Sequence, residues 1–188
     1  MSIRSTMGID QYRSGDAHIY ISHHLQRLGI TRTPVIYSPG YSTNARLMLQ
    51  YTAGSRQLIR TLGGMLPTLG IDAGGTDTFG NDVAISAIGQ AVSWFGSTYG
   101  AQPPFLLVGT SMGFADILAW GRANQSQVIG AIGVVGLTDL TAASESTTDM
   151  GNGQTAGQLV DAAYGGNYNP TTHGPTHDPT MYASTLGS

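Results

Sequence analysis

The chain contains no cysteine and no lysine, and only one of its acidic residues, Glu145, is a glutamate. Without cysteine there is no disulfide, no thiolate zinc site and no cysteine nucleophile. Without lysine there is no Schiff-base or lysine-base chemistry. Charge is scarce altogether: 10% of the residues are charged, eight arginines against eleven acids give a net charge of −3, and no basic run gathers them. Nucleic acid and anionic lipid are therefore not expected as partners, and a coiled coil, which needs charged flanks along its heptads, is excluded. The most apolar stretch, residues 128–137, has glycine at 130, 133 and 136 and is too short to span a bilayer. Residues 1–8 lack the unbroken apolar run of a secretory signal. The expectation is a soluble chain without a Sec-type export signal, cytoplasmic by default.

What is present is glycine, at 27 of 188 positions, and hydrophobic side chains, at 40%. That length suits one domain with a core that needs no staples. Short apolar runs occur at 34–38, 68–72, 105–108 and 131–135, each bounded by glycine or proline, and read as strands. Between them Ile85, Ile88, Val92 and Phe95 fall on one helical face, with Asn81 or Asp82 available as N-cap. Phe114, Ile117, Leu118 and Gly121 repeat the pattern. Strands apolar on both faces, alternating with amphipathic helices, predict an α/β architecture around a parallel sheet. Residues 1–30 read as an N-terminal segment whose 17–22 stretch alternates weakly, as an edge strand would; residues 31–188 read as the core.

Gly109-Thr-Ser-Met-Gly113 fits the pattern G-x-S-x-G. In a chain so rich in glycine the string alone is weak evidence, but its context is a strand at 105–108 and a helix beginning at Met112, the strand-turn-helix arrangement of a nucleophile elbow. The flanking glycines suit a turn too tight for side chains, and the turn would hold the Ser111 hydroxyl at a helix N-terminus, where developing negative charge is favoured. An ordinary turn with an incidental serine is the competing reading. The backbone N–H of Met112 is one candidate oxyanion donor. The strand at 34–37 runs into Ser38-Pro39-Gly40-Tyr41, which offers the N–H of Tyr41 as a second, since Pro39 has none to give; a plain β-turn is the alternative there.

Taken in order, Ser38-Pro-Gly-Tyr41, Gly70-Ile-Asp-Ala-Gly-Gly-Thr-Asp-Thr-Phe-Gly-Asn-Asp82, Gly109-Thr-Ser-Met-Gly113, residues 134–140, Ala162-Ala-Tyr-Gly-Gly166 and Thr172-His-Gly-Pro-Thr-His-Asp-Pro-Thr-Met-Tyr182 resemble the α/β-hydrolases of the serine esterase type. The resemblance runs from about residue 17 to 186 and leans toward the esterase-like domains of minor tail proteins from phages of actinobacteria. It implies a three-layer α/β-hydrolase fold with a mostly parallel central sheet, lacking the last strands. It also implies a carboxylesterase- or lipase-like activity on acyl esters, those of the bacterial cell envelope among them, and a place in the virion tail. The alternative is a structural or host-contacting tail protein on a hydrolase fold with little catalysis. Two positions depart from the family: Pro39-Gly40 stands where His-Gly is common, and Gly113-Phe114 where Gly-Gly is common, so Phe114 is expected to narrow the acyl pocket.

The resemblance also places the family's catalytic aspartate and histidine on strands beyond the point where this sequence stops, at Ser188. A serine hydroxyl needs a base. His18, His23 and His24 precede the first well-supported strand and are expected to face solvent. His173 and His177, in a Gly/Pro/Thr-rich loop, are the remaining candidates for the base, and Asp139 is a candidate acid whose position equally suits helix capping. No metal site is expected, because adjacent His23 and His24 project in different directions and the 173–178 loop suits solvation as well as ligation. No cofactor is expected, the glycine-rich 70–80 stretch matching neither a P-loop nor a dinucleotide fingerprint. A sheet ending at the 131–135 strand would expose an apolar edge, so the expected partners beside an ester substrate are other virion tail proteins or a second copy covering that edge.

Overall fold

The computed structural model describes residues 4–6, 9–14, 17–22, 32–45 and 53–182. Seven strands form one mixed sheet in the order β1-β2-β3-β5-β4-β6-β7. β1 (Arg4–Thr6), β2 (Ile9–Ser14) and β3 (Ala17–Ser22) run antiparallel, and β3 pairs antiparallel with β5 (Thr68–Ile71). β5, β4 (Val35–Ser38), β6 (Phe105–Thr110) and β7 (Val128–Val134) are parallel. The strand expected at 17–22 is present, but it is internal rather than at the edge. The reason is the β2–β3 hairpin, whose register pairs Ser14 with Ala17 across the two residues Gly15 and Asp16, a hairpin signal in its own right.

Helices cover both faces of the parallel part. Val35, Tyr37 and Val108 pack with Ile59 of α1 (Ala53–Met65) on one side. Ile36, Leu69, Ile71, Phe105 and Leu107 pack on the other against α2 (Asp82–Tyr99) and α3 (Met112–Ala123), which contribute Ile88, Val92, Phe95, Ile117 and Trp120. Neighbouring strand residues thus alternate between two cores, as a doubly covered sheet requires. α2 begins where its cap directs: the Asn81 side chain accepts from the Ala84 N–H at 3.1 Å. The predicted face of that helix is buried at Ile88, Val92 and Phe95, with Ile85 half-buried.

β7 differs from its neighbours. It ends the sheet among the described residues, and Ile129, Ile132 and Val134 are 62%, 50% and 38% exposed. Beyond it α4 (Leu140–Ser144) and α5 (Ala156–Ala163) join Phe79, Met112 and Ala115 in a third core built on Leu140, Leu159, Val160 and Tyr168, and the short α6 (Gly174–His177) and α7 (Pro179–Tyr182) follow. Asp178 ties this cap together. One of its oxygens accepts from the Thr141 N–H and hydroxyl at 2.9 and 2.8 Å, and the other from the Thr180 N–H and hydroxyl at 3.1 and 2.7 Å.

Candidate active site

The sequence of β6, Phe105-Leu-Leu-Val-Gly-Thr, delivers the chain from the middle of the sheet directly to Ser111, and α3 starts on the next residue. Ser111 has φ 49 and ψ −123. A serine with positive φ is strained and is held there only when its surroundings over-determine it. They do. The Ser111 N–H donates to the Val134 carbonyl at 3.2 Å, and its own carbonyl accepts from Leu137 at 2.9 Å and Phe114 at 3.0 Å, so the end of β7 and the first turn of α3 grip the backbone on both sides. The side chain is half-buried and makes no hydrogen bond to a described residue.

Both glycines of the pentapeptide are sterically required. A Cβ on Gly109 would stand 2.5 Å from Phe114 Cα and 2.7 Å from its nitrogen. One on Gly113 would stand 2.5 Å from the Ser38 carbonyl oxygen and closer still to that of Pro39. The second clash shows that the loop after β4 lies directly on the elbow. Gly40 completes the approach, since a Cβ there would be 3.3 Å from Ser111 Cβ. The Tyr41 N–H makes no intramolecular hydrogen bond to a described residue, and the Met112 N–H, at the first position of α3, has no carbonyl one turn back to receive it. Neither N–H is therefore spent on an intrahelical or ladder bond among the described residues.

The other candidates make their hydrogen bonds to residues other than Ser111. Asp139 caps α4, its Oδ1 accepting from the Ala142 N–H at 2.7 Å. His177 Nε2 faces Asp82 Oδ1 at 3.2 Å, and its Nδ1 is 3.1 Å from the His173 carbonyl and 2.9 Å from the Thr176 hydroxyl. His173 accepts from the Asn169 N–H through Nδ1 at 3.0 Å, and its ring lies on Tyr164, centroids 4.9 Å apart. The two histidines line a shallow cleft of ≈ 260 Å³ with Asn81, Asp82 and Tyr164. Neither is hydrogen-bonded to Ser111. His23 and His24 lie outside the described residues, as do residues 183–188. Among the described residues no group of three or more His, Asp or Glu side chains is arranged to hold a metal ion, and no helix is long and apolar enough to cross a membrane.

Sequence reasoning passed over Asp116, which is fully buried on α3. Its Oδ1 accepts from the Gly80 N–H at 2.6 Å and from the Thr78 hydroxyl at 3.0 Å. Burial pushes its carboxyl up to about 7, against the opposing pull of Gly80, Thr78 and Ser38. Asp178 shows the opposite balance: burial raises it, but the Thr180 and Thr141 hydrogen bonds together outweigh that and hold it below the usual carboxylate range. Tyr37, behind the elbow on β4, is pushed up to about 12 by burial, its hydroxyl 3.2 Å from Thr110 Oγ1. Val135 was also missed. It follows β7 with φ 50 and is 89% exposed, a β-branched residue in the left-handed region one position from Val134, whose carbonyl holds Ser111.

No family model and no curated protein sequence matches the chain. Solved structures do. The chain is similar to FphF, a fluorophosphonate-binding serine hydrolase of Staphylococcus aureus, at TM-score 0.65 and 11% identity, over 93% of this chain and 71% of that one. It is similar to esterase B from Lactobacillus rhamnosis at TM-score 0.67 and 15% identity, over 97% of this chain and 65% of the other. A bacterial esterase of the hormone-sensitive lipase family gives TM-score 0.61 and 17% identity, with 93% and 60% covered. This chain thus spans 60–71% of the length of these three structures. The fold is that of the α/β-hydrolases.

Proposed function

We propose that this chain is a serine ester hydrolase of the carboxylesterase or lipase type, with Ser111 as nucleophile and the N–H groups of Met112 and Tyr41 as oxyanion donors. The observation that carries the proposal is the backbone of Ser111, held at φ 49 between a strand and a helix while the 38–41 loop lies against Gly113. Such strain persists where it aims a side chain. In the proposed reaction Ser111 Oγ adds to the acyl carbon, and the carbonyl oxygen takes up negative charge between the two N–H groups. The Oγ proton leaves, the ester C–O bond breaks, the departing alcohol takes a proton from solvent, and water then hydrolyses the acyl-serine.

His173 and His177 are hydrogen-bonded elsewhere, so solvent receives the Oγ proton in this proposal. The described residues are then expected to turn over slowly, several orders of magnitude below an intact triad. Hydrolysis of p-nitrophenyl butyrate by the wild type and by Ser111→Ala tests this. Slow release that falls to the solution background in Ser111→Ala is the expected result; equal rates refute the assignment of the nucleophile. Fast turnover abolished by His177→Ala or His173→Ala would identify the base and overturn the slow-turnover expectation.

An ester hydrolase of a phage tail that works on acyl esters of the bacterial cell envelope is the reading supported by the resemblance of the 70–82 stretch to tail-protein esterase domains. The second reading, a tail protein that makes contacts on a hydrolase fold, draws support from β7, whose exposed Ile129, Ile132 and Val134 suit an added strand from another tail protein or a second copy. Sedimentation of the purified chain separates them. A monomer with Ser111-dependent hydrolysis supports the enzyme; an inactive oligomer supports the contact protein.

A further inference from the structure

Asp116 lies on α3 four residues after Met112, so the two side chains share a helix face beneath the elbow. Its partners do not belong to α3. Gly80 and Thr78 belong to the 72–81 loop, and Gly80, with φ +77, lies so close to α3 that a Cβ on it would be 3.1 Å from the Ala115 carbonyl oxygen. Between them Phe79 packs on the ring of Tyr41, centroids 6.2 Å apart. The Thr76 carbonyl receives the Ser42 N–H at 3.1 Å, and Asp72 accepts the N–H of Ala45. The 38–45 loop therefore leans on the 72–81 loop, and Asp116 fastens the 72–81 loop to the elbow helix.

A second tie would run through Ser38. Ser38 Oγ and Asp116 Oδ2 are both buried, and neither has a hydrogen-bond partner of ordinary geometry. The Ser38 side chain nevertheless lies near enough to pull the carboxyl toward its charged form. Among the described residues no charged or titratable side chain acts on Asp116; Gly80, Thr78 and Ser38 are the groups that do. With no cation to offset burial, the neutral acid is favoured. Its Oδ2–H can donate to Ser38 Oγ, which satisfies both orphaned atoms with one bond while Oδ1 keeps Gly80 and Thr78.

We infer that Asp116 is a positioning residue: through Ser38 at one end of the 38–41 loop, and through Thr78, Gly80 and Phe79 at the other, it holds the Tyr41 N–H in place above Ser111. The inference rests on the proposed roles of Ser111 and Tyr41. It separates three variants. Asp116→Asn keeps an acceptor for Gly80 and Thr78 and turns an N–H toward Ser38, reproducing the neutral acid. Asp116→Ala removes every tie. Thr78→Val removes one and keeps the helix intact.

The experiment combines p-nitrophenyl butyrate kinetics, normalised to folded protein, with 1H–15N spectra assigned at Gly40 and Tyr41. Expected is a wild-type rate within about 3-fold for Asp116→Asn. A fall in kcat of about 10²-fold at nearly constant KM is expected for Asp116→Ala, because an oxyanion donor acts in the transition state and not on bound ester. Thr78→Val should fall part of the way, and it carries the test if Asp116→Ala does not fold. The Gly40 and Tyr41 amide signals should move in Asp116→Ala and stay in Asp116→Asn. Unchanged kcat in both Asp116→Ala and Thr78→Val, despite Ser111-dependent hydrolysis, overturns the inference. If wild type and Ser111→Ala hydrolyse at the same rate, the nucleophile assignment fails by itself. The amide signals then decide on Asp116: unmoved signals in Asp116→Ala and Thr78→Val overturn it, and signals that move as expected support it.

Discussion

Gly113→Ala puts the packing of the 38–41 loop on the elbow to a direct test. The added methyl would stand 2.5 Å from the Ser38 carbonyl oxygen, where ordinary contact begins near 3.4 Å, and it is nearer still to the Pro39 carbonyl. All the atoms it meets are backbone, so no rotamer change relieves the overlap, and the loop has to withdraw by about 0.9 Å or more. Overpacking of this kind costs about 2–3 kcal/mol, which for a chain of this size lowers the melting temperature by about 4–12 °C. The same shift carries the Tyr41 N–H away from Ser111. A misplacement near 1 Å costs about 10²-fold in rate, so Ser111-dependent hydrolysis should fall by that factor. Thermal melts read the first effect and ester kinetics the second. Gly64→Ala is the control: nothing lies within 4 Å of its Cβ position in α1, and the change should stabilise by about 0.5–1 kcal/mol through helix propensity. A Gly113→Ala variant that melts within about a degree of wild type would refute the loop-on-elbow packing on which the second oxyanion donor depends.

Three further outcomes are expected. Asp116 is held above its unfolded value of 3.8, so the unfolded chain releases its proton at lower pH than the folded one; wild-type stability relative to Asp116→Asn should decline from pH 4 to about 7 by about 4 kcal/mol and then level off, as denaturant titrations across that range would show. Asp178 has the opposite sign, stabilising above the usual carboxylate range and losing that contribution as pH falls through its lowered value, and Asp178→Ala should cost about 2–4 kcal/mol at pH 7 and less in acid, read by urea unfolding at both pH values. Val135→Gly relieves a β-branched residue at φ 50 that is 89% exposed and packs little, so urea unfolding should show a gain of about 1 kcal/mol; a loss would mean that the Val135 side chain has a packing role the geometry does not show.

The region from residue 105 to 123 was legible because several signals coincide there: an apolar run, a pair of glycines at fixed spacing around serine, and a helical stripe. α1 was not assigned. Its stripe of Leu58, Ile59 and Leu62 is real, but Gly54, Gly63 and Gly64 dilute the pattern below recognition. β1 and β2 were passed over although Gly15-Asp16 is a hairpin signal, because polar residues interrupt any alternation on either side. Asp116 illustrates a different limit. A lone carboxylate in a helix reads as an exposed position, and its partners are 36 and 38 residues away in sequence, so only the fold brings them together. His177 shows the same limit from the other side, its ring turned to Asp82 across 95 positions.

The exposed side of β7 bears on how the molecule behaves as a colloid. With a net charge of −3 and 10% charged residues, two copies approaching edge to edge meet little long-range repulsion, and at physiological ionic strength what there is decays over about 8 Å. Two copies that met through exposed Ile129, Ile132 and Val134 would have almost nothing to hold them apart. Attraction between such surfaces strengthens on warming and with sulfate or phosphate salts, and weakens on cooling. The chain should stay dispersed longest in cold, dilute, low-salt buffer, and turbidity should rise with ammonium sulfate well below the temperature at which the fold melts.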